Sequence, residues 1–286
     1  MSVNADDLLQ PELLKLLALG AAELHADYHG INARLYDSVQ GGNRDVEYYL
    51  STIGASPATI LELGSGTGRI AIPLAEAGHT VYALDNSPDM HELLRGKVPA
   101  HLRDSIVQVE ADMRDFALDM LFDYAILGLN TVFALLEEES RQDCFGSVAR
   151  HLKPDGKFIL DFMLPSASLV SNKDGSYELS VYQQSQDRGN AVVTYSRYDA
   201  DRRLSILNFL TLEISDGKLS RAYVTPAVEY YPPVDEIQSL IQEAGMEVVQ
   251  TLSDYNGTPF SDTSEGGDVI MVARLRLPEQ RQQGTI

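Results

Sequence analysis

The chain has a single cysteine, no long apolar run and no basic leader, and each absence removes a class of function. Cys144 alone cannot form a disulfide or a cysteine-based metal site within one chain, and no metal site is predicted. No apolar stretch approaches the roughly 18 residues that a membrane-spanning helix needs. The N-terminus lacks the basic region that opens a signal peptide. We therefore expect a cytoplasmic protein.

Basic residues are also scarce: 22 Lys and Arg stand against 42 Asp and Glu, for a net charge of −20 over 286 residues. A field of that sign repels phosphate backbones and anionic lipids. Nucleic acids and membrane surfaces are therefore disfavoured as partners, although most of these carboxylates serve solubility alone. The length suits one large domain, or a domain with a substantial insert.

Between residues 59 and 162, apolar strand patterns alternate with helical patterns, and two more strands follow near the end. Such alternation predicts an α/β fold with a doubly wound, mostly parallel sheet of seven strands. Lys153–Gly156 is predicted as a turn. The predicted strands are Thr59–Leu63, Thr80–Leu84, Ser105–Glu110, Phe122–Leu127, Lys157–Phe162, Glu247–Ser253 and Asp268–Leu275.

From about residue 177 to residue 230 the apolar residues recur at every second position, as at Leu204 and Ile206. Ser215–Gly217 is a strong hairpin signal within this stretch. We therefore predict an antiparallel β meander inserted into the α/β domain. The predicted parts are an N-terminal helical lid segment (1–50), the α/β domain (51–165 and 228–276), the meander over the substrate cavity (166–227) and a flexible tail (277–286).

Residues 60–70 read as a buried strand, a glycine-rich turn and a helix start, in the pattern E-x-G-x-G-x-G. Glycines at 64, 66 and 68 allow positive φ and remove every Cβ from the bend, so backbone can approach a ligand closely. The dinucleotide fingerprint needs a small residue where Arg69 stands. This spacing disfavours a nicotinamide cofactor.

Two more motifs follow the next two strands. Asp85 ends the second strand, 21 residues after Gly64, where a carboxylate can accept both ribose hydroxyls of an adenosine. Met90, five residues on, either lies over an adenine face or simply packs in its helix. The segment Glu110–Phe116 follows the third strand. Ligands bind at the carboxyl ends of such strands, and no G-K-[ST] phosphate loop competes.

Together these motifs resemble class I S-adenosylmethionine-dependent methyltransferases, which have a Rossmann-like fold. The inserted meander resembles, more loosely, small-molecule N-methyltransferases of amino sugars and amino acids. The resemblance implies S-adenosyl-L-methionine as the cofactor, with Glu62 bracing the glycine turn. It also implies that Asp112 accepts a hydrogen bond from the adenine amino group and that the Met113 backbone N–H meets a ring nitrogen. The full set of implied cofactor-binding residues is Glu62, Gly64, Ser65, Gly66, Asp85, Asn86, Met90, Asp112, Met113, Leu127 and Leu129.

Three residues are candidates for the reaction itself. Asp161 ends the fifth strand, where it either faces the pocket or caps a loop. Tyr36 is a candidate for facing the methyl group or binding a carboxylate, and Asn130 for orienting the substrate. Ala134 stands where relatives often carry a histidine, so a histidine base is not expected.

The expected function is methyl transfer from S-adenosylmethionine to a nitrogen or oxygen of a small molecule by in-line displacement. Nitrogen is slightly favoured because no dedicated base is visible. One alternative is a protein of a natural-product pathway that binds the same cofactor without transferring methyl, as a cyclase or partner subunit. A nicotinamide oxidoreductase is a further alternative, disfavoured by Arg69. A homodimer is compatible with the sequence.

Overall fold

The computed structural model describes residues 8–39, 42–183, 185, 187–261 and 266–276. These residues form two compact units. The meander unit consists of the described residues of 1–41 and 166–231, and the α/β unit of those of 42–165 and 232–286. The predicted tail at 277–286 and the first seven residues of the predicted N-terminal segment lie outside the described residues.

The helices follow amphipathic stretches of the sequence, and some begin at recognisable caps. Ser87 caps one helix, with its hydroxyl accepting the Met90 backbone N–H and Pro88 in the first turn, as those residue types favour. The helices are α1 (Pro11–Ala18), α2 (Gly30–Val39), α3 (Arg44–Ile53), α4 (Ala71–Glu76), α5 (Pro88–Lys97), α6 (Glu138–His151), α7 (Ala167–Ser171) and α8 (Val234–Glu243).

The strands fall into two sheets, one in each unit. They are β1 (Glu23–Leu24), β2 (Thr59–Leu63), β3 (Thr80–Asp85), β4 (Ile106–Glu110), β5 (Phe122–Leu127), β6 (Leu152–Leu164), β7 (Ser176–Gln183), β8 (Arg188–Asp199), β9 (Leu204–Ser215), β10 (Lys218–Tyr230), β11 (Met246–Leu252) and β12 (Gly267–Leu275).

The α/β unit contains a seven-stranded sheet in the order β11-β12-β6-β5-β2-β3-β4. Strands β2 to β6 run parallel, while β12 pairs antiparallel with β6 and with β11. This confirms the predicted mostly parallel sheet of seven strands. The chain runs from β2 outward through β3 and β4, then returns to β5 on the other side of β2. The gap between β2 and β5 is therefore the switch point at which open α/β sheets bind ligands.

The predicted turn at Lys153–Gly156 lies inside strand β6 as an irregularity of the ladder. Leu152 pairs with Phe122, but the next pair joins Lys157 to Tyr124, so β6 accommodates extra residues between them. A Cβ on Gly156 would lie 2.8 Å from the Phe122 carbonyl oxygen, so this approach requires glycine. The bulge joins helix α6 to the sheet with no separate loop.

The meander unit contains a five-stranded sheet in the order β1-β10-β9-β8-β7. Strands β7 to β10 are antiparallel, as the period of two predicts. Asp216 and Gly217 have φ of 53° and 69°, the conformation of the tight hairpin turn expected at that dipeptide. Ile31 and Leu35 of α2 pack with Val192 and Tyr223 on this sheet.

The N-terminal segment, predicted to be helical, contains a short helix and a short strand before α2. Helix α1 ends at Ala18, and Glu23–Leu24 then pairs in parallel with β10. The buried Asn208 of β9 attaches the start of this segment to the sheet. Its side chain accepts the Gln10 N–H at 3.0 Å and donates to the Leu8 carbonyl at 2.9 Å. A polar residue on the apolar face of β9 thus satisfies backbone groups of the N-terminal segment.

No helix among the described residues is long and apolar enough to cross a bilayer.

Candidate active site

The glycine turn after β2 has the backbone conformation that its sequence predicts. Gly64, Gly66 and Gly68 have φ of 67°, 53° and 87°, in the left-handed region that other residues rarely adopt. A Cβ on Gly64 would lie 2.5 Å from Cγ2 of Thr131, which follows β5. The turn therefore lies directly against the end of β5, and this approach excludes any side chain at position 64.

Asp85 ties the end of β3 to the same turn. One of its carboxylate oxygens accepts the Gly66 N–H at 2.8 Å, and the other accepts the Ser87 N–H at 2.9 Å. The Ser65 N–H donates to the Leu84 carbonyl at 3.0 Å. The side chain is nearly buried, with each oxygen retaining a further lone pair. Asp85 thus stands beside the glycine turn as an oriented acceptor.

Asn86 and Met90 occupy different environments in the segment after β3. Asn86 is exposed. Met90 is only 1% exposed, and this burial favours the alternative that it packs in its helix over the alternative that it lies on an adenine face. Its role as a cofactor contact stays a prediction.

Asp112 and Met113 lie near the start of the irregular segment between β4 and β5, and the side chain of Arg114 fixes Asp112. The Arg114 guanidinium reaches both carboxylate oxygens, with Nε at 3.0 Å from each and Nη2 at 2.5 Å from Oδ2. These hydrogen bonds lower the pKa of Asp112 below its usual range, so the group stays an ionised acceptor. The sequence motif includes Arg114, but its pairing with Asp112 is visible only in the structure.

The turn after β5 is strained. Leu129 and Asn130 both have positive φ, 51° and 60°, a conformation that is costly for residues with side chains. The Asn130 side-chain oxygen accepts the Met163 N–H at 2.7 Å, and the Thr131 hydroxyl donates to the Gly128 carbonyl at 2.6 Å. Because Leu129 and Asn130 are both held in the left-handed conformation, the carbonyls of the turn point in a fixed direction, as a binding loop requires.

Asp161 is completely buried and is surrounded by hydrogen-bond donors. It accepts the Leu129 N–H at 2.8 Å, and the hydroxyls of Tyr49 and Tyr255 also donate to it. Burial nevertheless dominates and raises the pKa of Asp161 to about 6, against the lowering effect of these donors. The contacts favour the loop-capping alternative for Asp161, in which it holds the strained turn. Tyr49 and Tyr255 are not among the residues predicted from the sequence, because neither stands in a motif that indicates this contact.

Glu62 is a further buried carboxyl group of the site. Burial raises its pKa to about 8, the Arg69 charge partly offsets this, and Asp85 adds to it. The Ala71 backbone N–H donates to the carboxyl group, while Oε2 has no hydrogen-bond partner. A buried, unpartnered carboxyl oxygen beside a glycine turn fits a cationic ligand group.

Arg69 makes a buried, two-pronged ion pair with Asp45 of helix α3, in which Nη1 lies 2.9 Å from Oδ1 and Nη2 also contacts Oδ2. Planar guanidinium–carboxylate pairs of this kind are the geometrically specific ones. The residue that departs from the dinucleotide fingerprint is thus fixed by a charge on another helix. Sequence reasoning used Arg69 only as an exclusion and gave no partner.

Tyr36 belongs to the other unit. It lies in helix α2, half-buried, with its ring edge-on to Tyr28 at a centroid distance of 6.2 Å. Its role in the reaction stays a prediction.

Known proteins resemble this chain over the region that contains these strand ends. The family described as "Methyltransferase domain" matches residues 60–156, which span β2 to the β6 bulge. A solved structure, the CcbJ methyltransferase from Streptomyces caelestis, superposes with a TM-score of 0.69 at 23% identity, covering 86% of this chain and 96% of that one. A second, S-adenosylmethionine-bound CalS10 from Micromonospora echinaspora, described as an amino pentose methyltransferase, gives 0.64 at 19% identity, covering 87% and 98%.

Those two structures share the fold with this chain, and a further relative is similar to it in sequence. The cypemycin N-terminal methyltransferase of a Streptomyces species is 31% identical over 213 residues, which cover 74% of this chain and 82% of that protein. The match extends well beyond the glycine turn. The chain belongs to the S-adenosylmethionine-dependent methyltransferases.

Proposed function

We propose that this enzyme transfers a methyl group from S-adenosylmethionine to an amine nitrogen of a small molecule. The observation that carries the cofactor assignment is the junction at the switch point, where Asp85 accepts the Gly66 N–H and Thr131 of the turn after β5 lies directly against Gly64. When bound, the cofactor would supply an electrophilic methyl group. The lone pair of a neutral acceptor nitrogen would form the C–N bond as the S–CH3 bond breaks, which would leave S-adenosylhomocysteine and release one proton to solvent.

Each cofactor-binding residue has a role that its chemistry suits. Glu62 and the backbone of Gly64, Ser65 and Gly66 would surround the amino-acid end, together with carbonyls of Leu127 and Leu129. Asp85 would accept ribose hydroxyls, with Asn86 beside it. Asp112, held ionised by Arg114, would accept the adenine amino group, and the Met113 N–H would donate to the ring.

Asp161 and Asn130 would act by holding the turn after β5. Asp161 accepts the Leu129 N–H, and Asn130 accepts the Met163 N–H. Both acceptors are therefore occupied by backbone donors, which suits a role in positioning the turn. Orientation of reactants accounts for much of the barrier reduction in such displacements, on the order of 7–11 kcal/mol in favourable cases.

A nitrogen acceptor is supported by the relatives and by two carboxyl groups of the meander unit. The relatives are named for methylation of an N-terminus and of an amino pentose. In the meander unit, Glu229 lies 3.4 Å from the Tyr231 hydroxyl. Burial first, and the charge of Asp27 second, raise the pKa of Glu229 to about 7. Asp27 also has a raised pKa because of burial, with Asn32 and His29 acting against the shift. Such a pair favours an amine over an alcohol, because a carboxylate attracts the ammonium form in which an amine arrives, and this form loses its proton before the nitrogen reacts.

The cofactor is tested by calorimetric titration with S-adenosylmethionine, S-adenosylhomocysteine and NADH. We expect the first two to bind and the third not to bind. Gly64→Val and Asp85→Ala should each abolish binding, because one fills the 2.5 Å approach to Thr131 and the other removes the oriented acceptor. Near wild-type affinity in both variants would refute the assignment.

The reaction is tested by incubating the protein with S-adenosylmethionine and a panel of amino sugars, amino acids, short peptides and matched hydroxyl compounds. We expect a mass gain of one methyl group on amines and none on the hydroxyl compounds. Tight cofactor binding with no methylated product from any acceptor would favour the alternative of a cofactor-binding protein that does not transfer methyl.

A further inference from the structure

The C-terminal part of helix α6 holds the segment that contains Asp112 and Met113. This segment, residues 111–121, joins β4 to β5 without regular secondary structure. Its backbone groups have few partners of their own kind, so side chains from a neighbouring element must supply order. Two such side chains come from α6, Ser147 and His151.

His151 bonds the segment through one defined tautomer. Its Nδ1 lies 2.7 Å from the Ser147 carbonyl oxygen, which can only accept, so Nδ1 carries the proton. Nε2 is then an acceptor, and the Leu118 N–H donates to it at 3.0 Å. The Phe116 ring packs against the imidazole with centroids 4.6 Å apart. The buried ring thus contacts the segment by packing and by a directed hydrogen bond.

Ser147 makes the second attachment, nearer to the adenine motif. Its hydroxyl donates to the Arg114 carbonyl at 2.8 Å and accepts from Arg150 Nη2 at 2.8 Å. Because Arg150 occupies the acceptor side of the hydroxyl, the proton of Ser147 is directed at Arg114. The side chain of the same Arg114 holds Asp112. The contacts therefore run without a gap from helix α6 to the carboxylate that would meet the adenine.

We propose that Ser147 and His151 are positioning residues for cofactor binding, which keep the 111–121 segment in the conformation that receives the adenine. The assignment rests on the proposed function, because it takes S-adenosylmethionine as the ligand of Asp112 and Met113. Its physical basis is that measured affinity falls in proportion to the fraction of protein in the binding-competent state. A tether that raises this fraction raises affinity without touching the ligand.

The test compares His151→Phe with His151→Gln in the full-length protein. Phenylalanine retains a ring against Phe116 but leaves the Leu118 N–H without its acceptor. Glutamine places an amide oxygen near the position of Nε2 and restores the bond. We expect S-adenosylmethionine affinity about five- to tenfold weaker in His151→Phe and near wild type in His151→Gln, with Ser147→Ala weakened like the phenylalanine variant.

Amide hydrogen exchange of Leu118, measured without cofactor, gives a readout that does not depend on binding. Exchange should be faster in His151→Phe and unchanged in the exposed-surface control His101→Phe. Unchanged exchange would overturn the tether, and faster exchange with unchanged affinity in both His151→Phe and Ser147→Ala would overturn the positioning role. A wild-type protein that binds no S-adenosylmethionine would overturn the proposed function itself, and this result is distinct because the exchange measurement would still show the tether.

Discussion

The strand ends of the α/β unit bury carboxyl groups and the meander unit holds half-buried ones, and the two regions hold them differently. Asp85 and Asp161 accept backbone N–H groups at 2.8 Å, so their directions are fixed by the main chain. Glu229 has a tyrosine hydroxyl at 3.4 Å and a second carboxyl group, Asp27, acting on it. The first arrangement is preorganised to bind one ligand. The second leaves Glu229 with one long hydrogen bond, and under the proposed function this group is a candidate to bind the amine acceptor.

The largest expected effect is a loss of cofactor affinity, and it comes from replacing a left-handed glycine by alanine in the α/β unit but not from the same replacement in the meander unit. Gly64→Ala should weaken S-adenosylmethionine binding at least tenfold, by roughly 1.4 kcal/mol or more, because its Cβ would meet Thr131. Gly217→Ala, in the hairpin of the meander, has φ of 69° but no atom within 4 Å of its Cβ, so it carries backbone strain alone. Cofactor titration of both variants is the measurement.

Gly217→Ala should lower the melting temperature slightly and leave cofactor affinity unchanged. Equal loss of cofactor affinity in both variants would contradict this comparison. It would mean that backbone strain, and not the contact with Thr131, makes glycine necessary at position 64.

The next effect concerns Glu62 and the pH dependence of stability. Its pKa is raised to about 8 in the folded protein, so between pH 4.5 and pH 8 the folded state binds a proton that the unfolded state has released. Stability should therefore fall as pH rises through this window, by up to a few kcal/mol. Glu62→Gln should flatten this decline. Thermal melts at pH 5 and pH 8 without cofactor check it, and parallel slopes in the two proteins would contradict it.

A smaller effect is expected from Glu229→Gln, the matching change in the meander. It should raise KM for the amine acceptor roughly fivefold to tenfold through loss of a charged partner, while the Kd of S-adenosylmethionine stays the same. Because the pKa of Glu229 is raised to about 7, acceptor binding by the wild type should improve as pH rises through 7, and the variant should lose this dependence. An altered Kd of S-adenosylmethionine with an unaltered KM of the amine would contradict the prediction, because it would place Glu229 in cofactor binding instead of acceptor binding.

The smallest effect tests a glycine with no role in either region. Gly96 lies inside α5, has no positive φ, and a Cβ there would meet no atom within 4 Å. Gly96→Ala should raise the free energy of unfolding by about 0.5–1 kcal/mol. Gly54→Ala, equally open but with φ of 79°, should lower it. Urea unfolding of both variants provides the measurement.

The sheet of the α/β unit and the hairpins of the meander could be predicted because their signals are local. The seven strands are read from short apolar runs, and the Asp216–Gly217 hairpin from one dipeptide. The attachment of the N-terminal segment could not be predicted, because it depends on Asn208 meeting residues about 200 positions away. A polar residue on an apolar face gives no sign of its partner.

The same division applies to the site. Gly64, Asp85 and Asp112 stand out in the sequence because motif spacing places them after consecutive strands. Tyr49, Tyr255 and the partner of Arg69 do not, since their contacts with strand ends arise only when helices and loops fold onto the sheet. Local chemistry is encoded in short motifs, while the groups that tune burial and charge come from distant parts of the chain.

The close approach of Gly128 to Tyr49 has a consequence for how relatives of this enzyme vary. A Cβ at position 128 would lie 2.7 Å from the Tyr49 hydroxyl, the same hydroxyl that bonds Asp161. A relative with a side chain at 128 must shorten the residue at 49, and that change removes one of the three donors to the carboxyl group at 161. Positions 49, 128 and 161 should therefore covary across homologous sequences, with tyrosine, glycine and aspartate retained together or replaced together.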